Sequence, residues 1–443
     1  MREDDVDEEE AHFINVITTF QKYGPYTLAG NNRRRKDLYA LPLRDQELLA
    51  SLGYKEKLAK TDEAILANAE FLKKIVASPG IFGDEGDDAE DGENNGDDGD
   101  GQRRTNPHTH SHDSQTHLHG RSSQTHSHDT QNIRREHAHA HSREHTHSHR
   151  GHGHGHEGGH EHEHRSPRGK YKPSEFDMDK LRSTLKQFVR DWSEEGLEER
   201  EASYKPLKDA LVAHFRDIPA EQRHNFRVLV PGAGLGRLAY DVAKLGFSCQ
   251  GNEFSHYMLL SSFFILNRTQ EAYEHTIYPY VHSFSNVPNK QAMLRPIKFP
   301  DVRPSDLPPN ANFSLVAGDF EEIYGTDEEK DPGDPSAGQF DAILTCFFID
   351  TAKNIVNYLR VIHKILVPGG VWINIGPLLW HFENNTSNET SIELDLEEVK
   401  ELARKIGFEI KDERTIDTTY VNNKEGMLGY IYHAAFWTAT KQI

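Results

Sequence analysis

The sequence predicts an α/β fold, a mostly parallel sheet with helices on both faces, and three observations predict it. Short apolar runs of strand length alternate with amphipathic helical stretches from Arg227 onward, a glycine-rich turn follows the first such run, and capping signals bound the last helix. Residues 227–230 read as a first strand, 238–245 as a helix and 247–253 as a second strand. Residues 313–318 and 340–348 read as the third and fourth strands. A helix near 354–366 leads through the Pro368-Gly369-Gly370 turn into a fifth strand at 371–375. Asp395 and Glu398 make an N-terminal capping box for a helix whose apolar face is Leu396, Val399, Leu402, Ala403 and Ile406, and Gly407 ends it. Residues 408–411 and 430–438 supply the last two strands, seven in all.

Upstream, helical spacing at Ile14, Val16, Ile17 and Phe20 and again over 64–72 predicts a small helical region at 1–82, broken by turns at Gly24-Pro25 and Gly30-Asn31-Asn32. Residues 83–168 change to Asp, Gly and Asn and then to histidine alternating with small or polar residues, a composition that predicts a disordered insertion. Leu181, Leu185, Phe188, Val189 and Trp192 then share one helical face, and with a further helix near 199–215 they make a helical lead-in at 169–225. The sheet domain follows at 226–443.

The net charge of −20 is half local, since ten Asp and Glu residues lie between Asp84 and Asp100 with no compensating base. An acidic chain without a basic stripe is not expected to bind nucleic acid. Two cysteines, Cys249 and Cys346, fit a reducing compartment: the cytoplasm, with the nucleus as a second location. The acidic start has no apolar h-region, and the richest apolar run, 258–266, is far short of the roughly 20 residues a membrane span needs. Neither a secretory signal nor a membrane partner is expected.

Val228-Leu229-Val230-Pro231-Gly232-Ala233-Gly234-Leu235-Gly236 puts three glycines directly after the first strand, where backbone must turn tightly and approach a ligand closely. Glu253 closes the second strand 21 residues after Gly232, a spacing that places a carboxylate at the ribose hydroxyls of a nucleoside. Asp319 and Phe320 end the third strand, where they suit an adenine amine and an adenine face. Dinucleotide dehydrogenases share the loop and the acidic strand end, but their third glycine comes one residue later. The Pro-Gly-Gly turn before the fifth strand also fits the methyltransferase order instead.

With these strings in place, residues 230–253, Cys346-Phe347-Phe348-Ile349-Asp350-Thr351-Ala352 and Gly376-Pro377-Leu378-Leu379-Trp380-His381-Phe382-Glu383 resemble the carnosine N-methyltransferase family. The resemblance runs from the N-terminal helices to the last strand and omits only the acidic, His-rich insertion. Val230 stands where many methyltransferases place an acidic residue, and the proline-glycine form that follows is the family's own. The resemblance implies a seven-stranded Rossmann-like class I methyltransferase sheet, with 169–225 packing on and capping the cofactor site. It implies transfer of a methyl group from S-adenosylmethionine to an imidazole nitrogen of carnosine, giving anserine. Carried over by position, the cofactor set is Gln187, Arg190, Gly232, Glu253, Asp319, Phe320 and Cys346. The substrate set is Asp350, His381, Tyr430 and Tyr432, with Asp350 catalytic. The implied partner is a small imidazole dipeptide, carnosine or a relative of it, with a homodimer left open.

The residues alone weigh on this unevenly. Gln187 and Arg190 lie three apart, opposite the Leu181, Leu185 and Trp192 face, where a solvated surface is the default. His381 alone would read as a structural histidine, and Tyr430 and Tyr432, two apart on a strand, point to one face as core tyrosines also do. Nineteen of the 28 histidines fall between His108 and His164. Imidazoles bind zinc, copper or nickel, but a tract without cysteine or fixed core makes no structural metal site. Metal buffering by that tract, and methylation of histidine in other peptides or proteins, stand as alternative functions.

Overall fold

The computed structural model describes residues 3–77, 171–308, 310–325, 337–385 and 389–442, so the expected disordered insertion and its histidine tract lie outside the described residues. Three helices open the chain: α1 (Glu3–Ala40), α2 (Leu43–Ser51) and α3 (Tyr54–Ile75). After the insertion come α4 (Glu175–Trp192) and α5 (Leu197–His214), then β1 (Arg227–Pro231), α6 (Arg237–Lys244), β2 (Ser248–Glu253) and α7 (His256–Arg268). A two-stranded antiparallel sheet, β3 (His275–Ile277) with β4 (Ile297–Phe299), brackets the short α8 (Lys290–Met293). The chain returns to the main sheet with β5 (Phe313–Ala317), α9 (Phe320–Tyr324), β6 (Phe340–Cys346), α10 (Ile355–Ile365), β7 (Leu366–Gly376), α11 (Leu396–Ile406), β8 (Phe408–Thr418) and β9 (Tyr432–Lys441).

The seven-stranded sheet runs β5-β2-β1-β6-β7-β9-β8, with only β9 antiparallel to its neighbours. Renumbered by sequence within the sheet this is 3-2-1-4-5-7-6 with a reversed seventh strand, the class I methyltransferase sheet that the sequence predicts. Side chains alternate between two cores as strand pleating requires. Val228, Val230, Leu344 and Ile373 face α5 and α6, while Leu229, Ile343 and Trp372 face α10 and α11. Strand order reverses between β1 and β6, so their carboxyl ends open the crevice where such sheets bind ligands.

The local signals mostly hold. Asp395 accepts from the Glu398 N–H and Glu398 returns the bond, both at 2.9 Å, and Gly407 closes α11 with φ +119°. The Pro368-Gly369-Gly370 turn lies within β7 as a kink in its ladder: Phe340 pairs Leu366 and Ala342 pairs Val371, so the turn bulges out between them.

The expected breaks in the first helix do not occur, and α1 continues through Pro25. Their residues serve packing between helices instead of turns. A Cβ on Gly24 would sit 3.1 Å from the Ala69 methyl of α3, and the buried Asn31 amide donates to the Leu58 carbonyl at 2.9 Å and to Asp62 at 2.6 Å. Phe20, Tyr23, Leu72, Leu185, Phe264 and Phe299 share one core, so the N-terminal helices join α4, α7 and the small sheet as one layer.

Candidate functional site

The glycine loop is built as its spacing demands. Gly232, Gly234 and Gly236 take φ of +63°, +57° and +81°, and a Cβ on Gly232 would lie 2.7 Å from Cδ2 of Phe348. The loop thus passes Phe348 too closely for any side chain at Gly232, while among the described residues a Cβ at Gly234 would meet only Asp191 Oδ2, at ordinary contact distance. Glu253 ends β2 buried beneath it: Oε2 accepts from the Gly234 N–H at 2.8 Å, and Oε1 from Phe254 and Ser255 at 3.0 and 2.9 Å. Burial raises its pKa, and those three N–H bonds oppose the rise. A carboxylate offers about four acceptor positions, so the free one is on Oε2.

Next to it, the Gly318 N–H donates to the Glu253 carbonyl at 2.9 Å, which brings the third strand's end alongside. Asp319 is half-buried and caps α9, its Oδ1 accepting from Glu321 and Glu322. Phe320 is a core residue: it is 3 % exposed, and its ring centroid lies 5.3 Å from Phe348 and 5.2 Å from Tyr358, so little of it is left for a ligand.

Helix α4 closes the other side of the crevice. Gln187 and Arg190 are buried, and the solvated-face default gives way. The reason is that α4 is covered on both faces, by the helical layer on one and by the strand ends and the 418–422 loop on the other. Arg190 donates from Nε to Glu199 at 2.7 Å and from Nη1 to the Tyr204 hydroxyl at 2.7 Å; its Nη2 lies 3.9 Å from Cys346 Sγ. Burial opposes its charge, and Tyr204, Asp191 and Glu199 more than offset that. The half-buried Cys346 thiol is pushed up to about 11 by burial, against the neighbouring guanidinium. Gln187 Nε2 donates to the Tyr420 hydroxyl at 2.6 Å. The Trp192 indole donates to the Leu235 carbonyl at 3.0 Å and the Arg237 guanidinium to the Asp191 carbonyl at 2.9 Å, locking the helix end onto the glycine loop.

Beyond β6 the chain turns through Phe347, held at φ +54°, into a 3-10 turn carrying Asp350. Its carboxyl is buried, accepts from the Leu379 N–H at 3.0 Å, and among the described residues pairs with no Lys or Arg. Burial pushes its pKa up to about 7. The His381 N–H donates to the Asp350 carbonyl at 3.0 Å, so these two expected substrate residues are brought together. Tyr432 is half-buried with its ring 5.4 Å from Phe347, and its pKa is raised by burial and then by the Asp350 charge.

Tyr430 departs from expectation. Strand β9 begins at Tyr432, so Tyr430 lies in the preceding loop, 47 % exposed, and the two tyrosines do not share a strand face. The cause is the way this loop is held: Met427 donates to the Asn286 carbonyl at 2.9 Å, and Tyr430 lines a small recess with Tyr420 and Tyr432.

Three residues of the site went unforeseen. Tyr420 stacks near Phe347, ring centroids 4.9 Å apart, with the Arg190 guanidinium 4.6 Å from its ring centroid. Asp191 Oδ2 lies 3.7 Å from where a Gly234 Cβ would be. Glu199 Oε1 accepts from Arg190 Nε and the Val421 N–H, and Oε2 from the Thr419 hydroxyl and the Asn422 N–H, so one carboxylate clasps Arg190 to the loop before β9.

The sequence model of carnosine N-methyltransferases matches residues 167–443, the part of the chain that carries every group just described. The chain belongs to the carnosine N-methyltransferase family. Carnosine N-methyltransferase of Mus musculus is 49 % identical over 277 residues, which cover 62 % of this chain and 66 % of the mouse protein, just under two thirds of it. The Schizosaccharomyces pombe member is 47 % identical over 274 residues, 60 % of this chain and 71 % of that one. The Dictyostelium discoideum member is 44 % identical over 266 residues, 59 % of this chain and 54 % of that one. The matched region begins just before α4, so α4 and the clasp of Glu199 fall inside the matched residues, while α1 to α3 precede them.

Proposed function

We propose that this protein transfers the methyl group of S-adenosylmethionine to an imidazole nitrogen of carnosine, forming anserine and S-adenosylhomocysteine. The observation that carries the reading is Asp350, a buried carboxyl that among the described residues pairs with no Lys or Arg, set at the carboxyl end of β6 beside His381 and Tyr432. An ionised buried carboxylate held by the Leu379 N–H is costly until it gains a further donor. A neutral imidazole supplies one: its N–H on Asp350 fixes the tautomer and leaves the other nitrogen's lone pair free. As that nitrogen becomes cationic, the carboxylate stabilises the new charge more than it stabilised the neutral ring. His381, Tyr430 and Tyr432 then hold the remainder of the dipeptide.

The space left over Gly234 and the remaining acceptor position on Glu253 fit an adenosyl ribose. Gln187, Arg190 and Cys346 fit the amino-acid end, and Asp319 and Phe320 the base. When bound, S-adenosylmethionine supplies an electrophilic methyl group on a sulfonium. A reducing location, cytoplasm with nucleus second, belongs to the proposal, supported by two unpaired thiols at Cys249 and Cys346. Among the described residues no helix is long and apolar enough to cross a membrane, and no cluster has the make-up of a metal site.

Incubating the full chain with methyl-labelled S-adenosylmethionine and carnosine tests the reading. Label in anserine is expected; label only in peptide or protein histidine would replace the substrate, and no transfer at all would sink the assignment. Glu199 is assigned as a positioning residue. Glu199→Gln keeps the shape but puts amide N–H groups against the Asn422 donor. The KM for carnosine should rise about tenfold, the effect of roughly 1.4 kcal/mol, with a smaller change in S-adenosylmethionine affinity. An unchanged KM would remove the clasp from the account.

A further inference from the structure

Away from the methyl-transfer crevice, α1, the chain entering α4 and the loop after β3 enclose an open cavity of about 700 Å³. Lys22, Arg33, Arg34, Lys172 and Arg182 line it, and Glu175 is the one carboxylate among its described lining residues. That carboxylate is already occupied by the Tyr26 hydroxyl and by Arg182 Nη1. In a chain of net charge −20, convergence of like charge on one concavity is the reverse of what a passive surface would show. Solvated surface cations are the plain alternative, and Lys22, Arg33 and Lys172, all exposed, allow it. Arg34 and Arg182 do not: both are half-buried, and Arg182 Nε is a buried donor with no acceptor among the described residues.

A further basic side chain lies beside the lining residue His282. Lys186, one turn along α4 from Arg182, is pushed down to about 8, by burial first and then by Arg182, with only Asp179 opposing. The neighbouring His282 ring is pushed down to about 3 by burial, then by Arg182 and Lys186, so it adds no charge of its own. A cavity of this size suits a small molecule, not a macromolecular groove. Three guanidinium forks with two ammonium groups match the oxygens of a multiply charged phosphate better than a single carboxylate.

We infer that this cavity is a second ligand site, taking a small anion with two or more phosphate groups. It is separate from the nucleoside crevice, and it stands on α1 and on the N-terminal half of α4, whose C-terminal half carries Gln187 and Arg190.

Inorganic triphosphate is the test probe, since it has no base or ribose to enter the other crevice. Calorimetry on the full chain at pH 8, where histidines of the insertion are uncharged, and about 0.1 M salt should show binding at micromolar strength. The double substitution Arg33→Glu and Lys172→Glu changes exposed residues only, so the fold should persist by circular dichroism and triphosphate affinity should fall at least tenfold. Absence of binding to the wild-type chain would overturn the inference, as would equal binding by the double variant, which would place the anion elsewhere on the chain. If the double variant fails to fold, Arg33→Gln alone is read by the same criterion: weakened binding supports the site and unchanged binding overturns it.

Discussion

Asp350→Asn should lower methyl transfer to carnosine on the order of a hundredfold to a thousandfold, the scale of removing one preorganised electrostatic group, and should at the same time make the protein more stable above neutral pH. The two effects share one cause. Burial pushes the Asp350 carboxyl up to about 7 in the fold, against an ordinary 3.8. Between those values the folded chain holds a proton that the unfolded chain has released. The stability this proton represents is therefore complete below pH about 4 and is lost as pH rises through 7. Three pKa units correspond to about 4 kcal/mol at 1.36 kcal/mol each, an upper bound. Asparagine keeps an acceptor for the Leu379 N–H and carries no charge, so its melting temperature should exceed wild type by about 3 °C or more at pH 8 and match it near pH 4. The same titration predicts that kcat/KM for carnosine rises with pH through about 7, as Asp350 ionises and the imidazole, with a pKa near 6.5, loses its proton. Turnover within a few-fold of wild type in the variant would discard Asp350 as the orienting carboxylate. Loss of S-adenosylmethionine binding alongside turnover would move it to the cofactor side.

Glu253→Ala should weaken S-adenosylmethionine binding by about ten- to a hundredfold, since a hydrogen bond to a charged acceptor contributes about 1.5–3 kcal/mol. The substitution also strips acceptors from the N–H groups of Gly234, Phe254 and Ser255. A lower melting temperature without ligand is thus expected together with the lost affinity. Titration of the purified variant with S-adenosylmethionine and with S-adenosylhomocysteine reads the effect. Wild-type affinity for both would detach Glu253 from the nucleoside.

Where function depends on spacing along the chain, the sequence is a good guide. The alternation of strand and helix, the capping box at Asp395 and Glu398, and the carboxylate that closes β2 after the glycine loop all follow from local periodicity and stereochemistry. What was not legible arises from groups far apart in the chain. Gln187 meets Tyr420 across 233 residues and Glu199 meets Val421 across 222, and neither loop residue stands in any pattern that would single it out. The small sheet of β3 and β4 has three-residue strands, too short for alternation to show. Gly24 and Asn31 misled for a different reason: glycine and asparagine favour turns, but they also permit close helix contact and buried amide bonding, and tertiary packing decided between these uses.

The clasp at Glu199 divides the long connection between β8 and β9 into two parts with different freedom to vary. Thr419, Val421 and Asn422 are tied through that carboxylate to Arg190, so a change there is felt at the glycine-loop end of the crevice. The stretch from Lys424 to Tyr430 has no bond to Glu199 and is held instead by the Met427 N–H on the Asn286 carbonyl, with the Met427 and Tyr430 side chains exposed. Under the proposed function, acceptor preference would drift by substitution at the tip of this connection while the donor half of the site keeps its geometry. A lineage acquiring a new imidazole substrate would be expected to record its history in those few residues before any other part of the crevice.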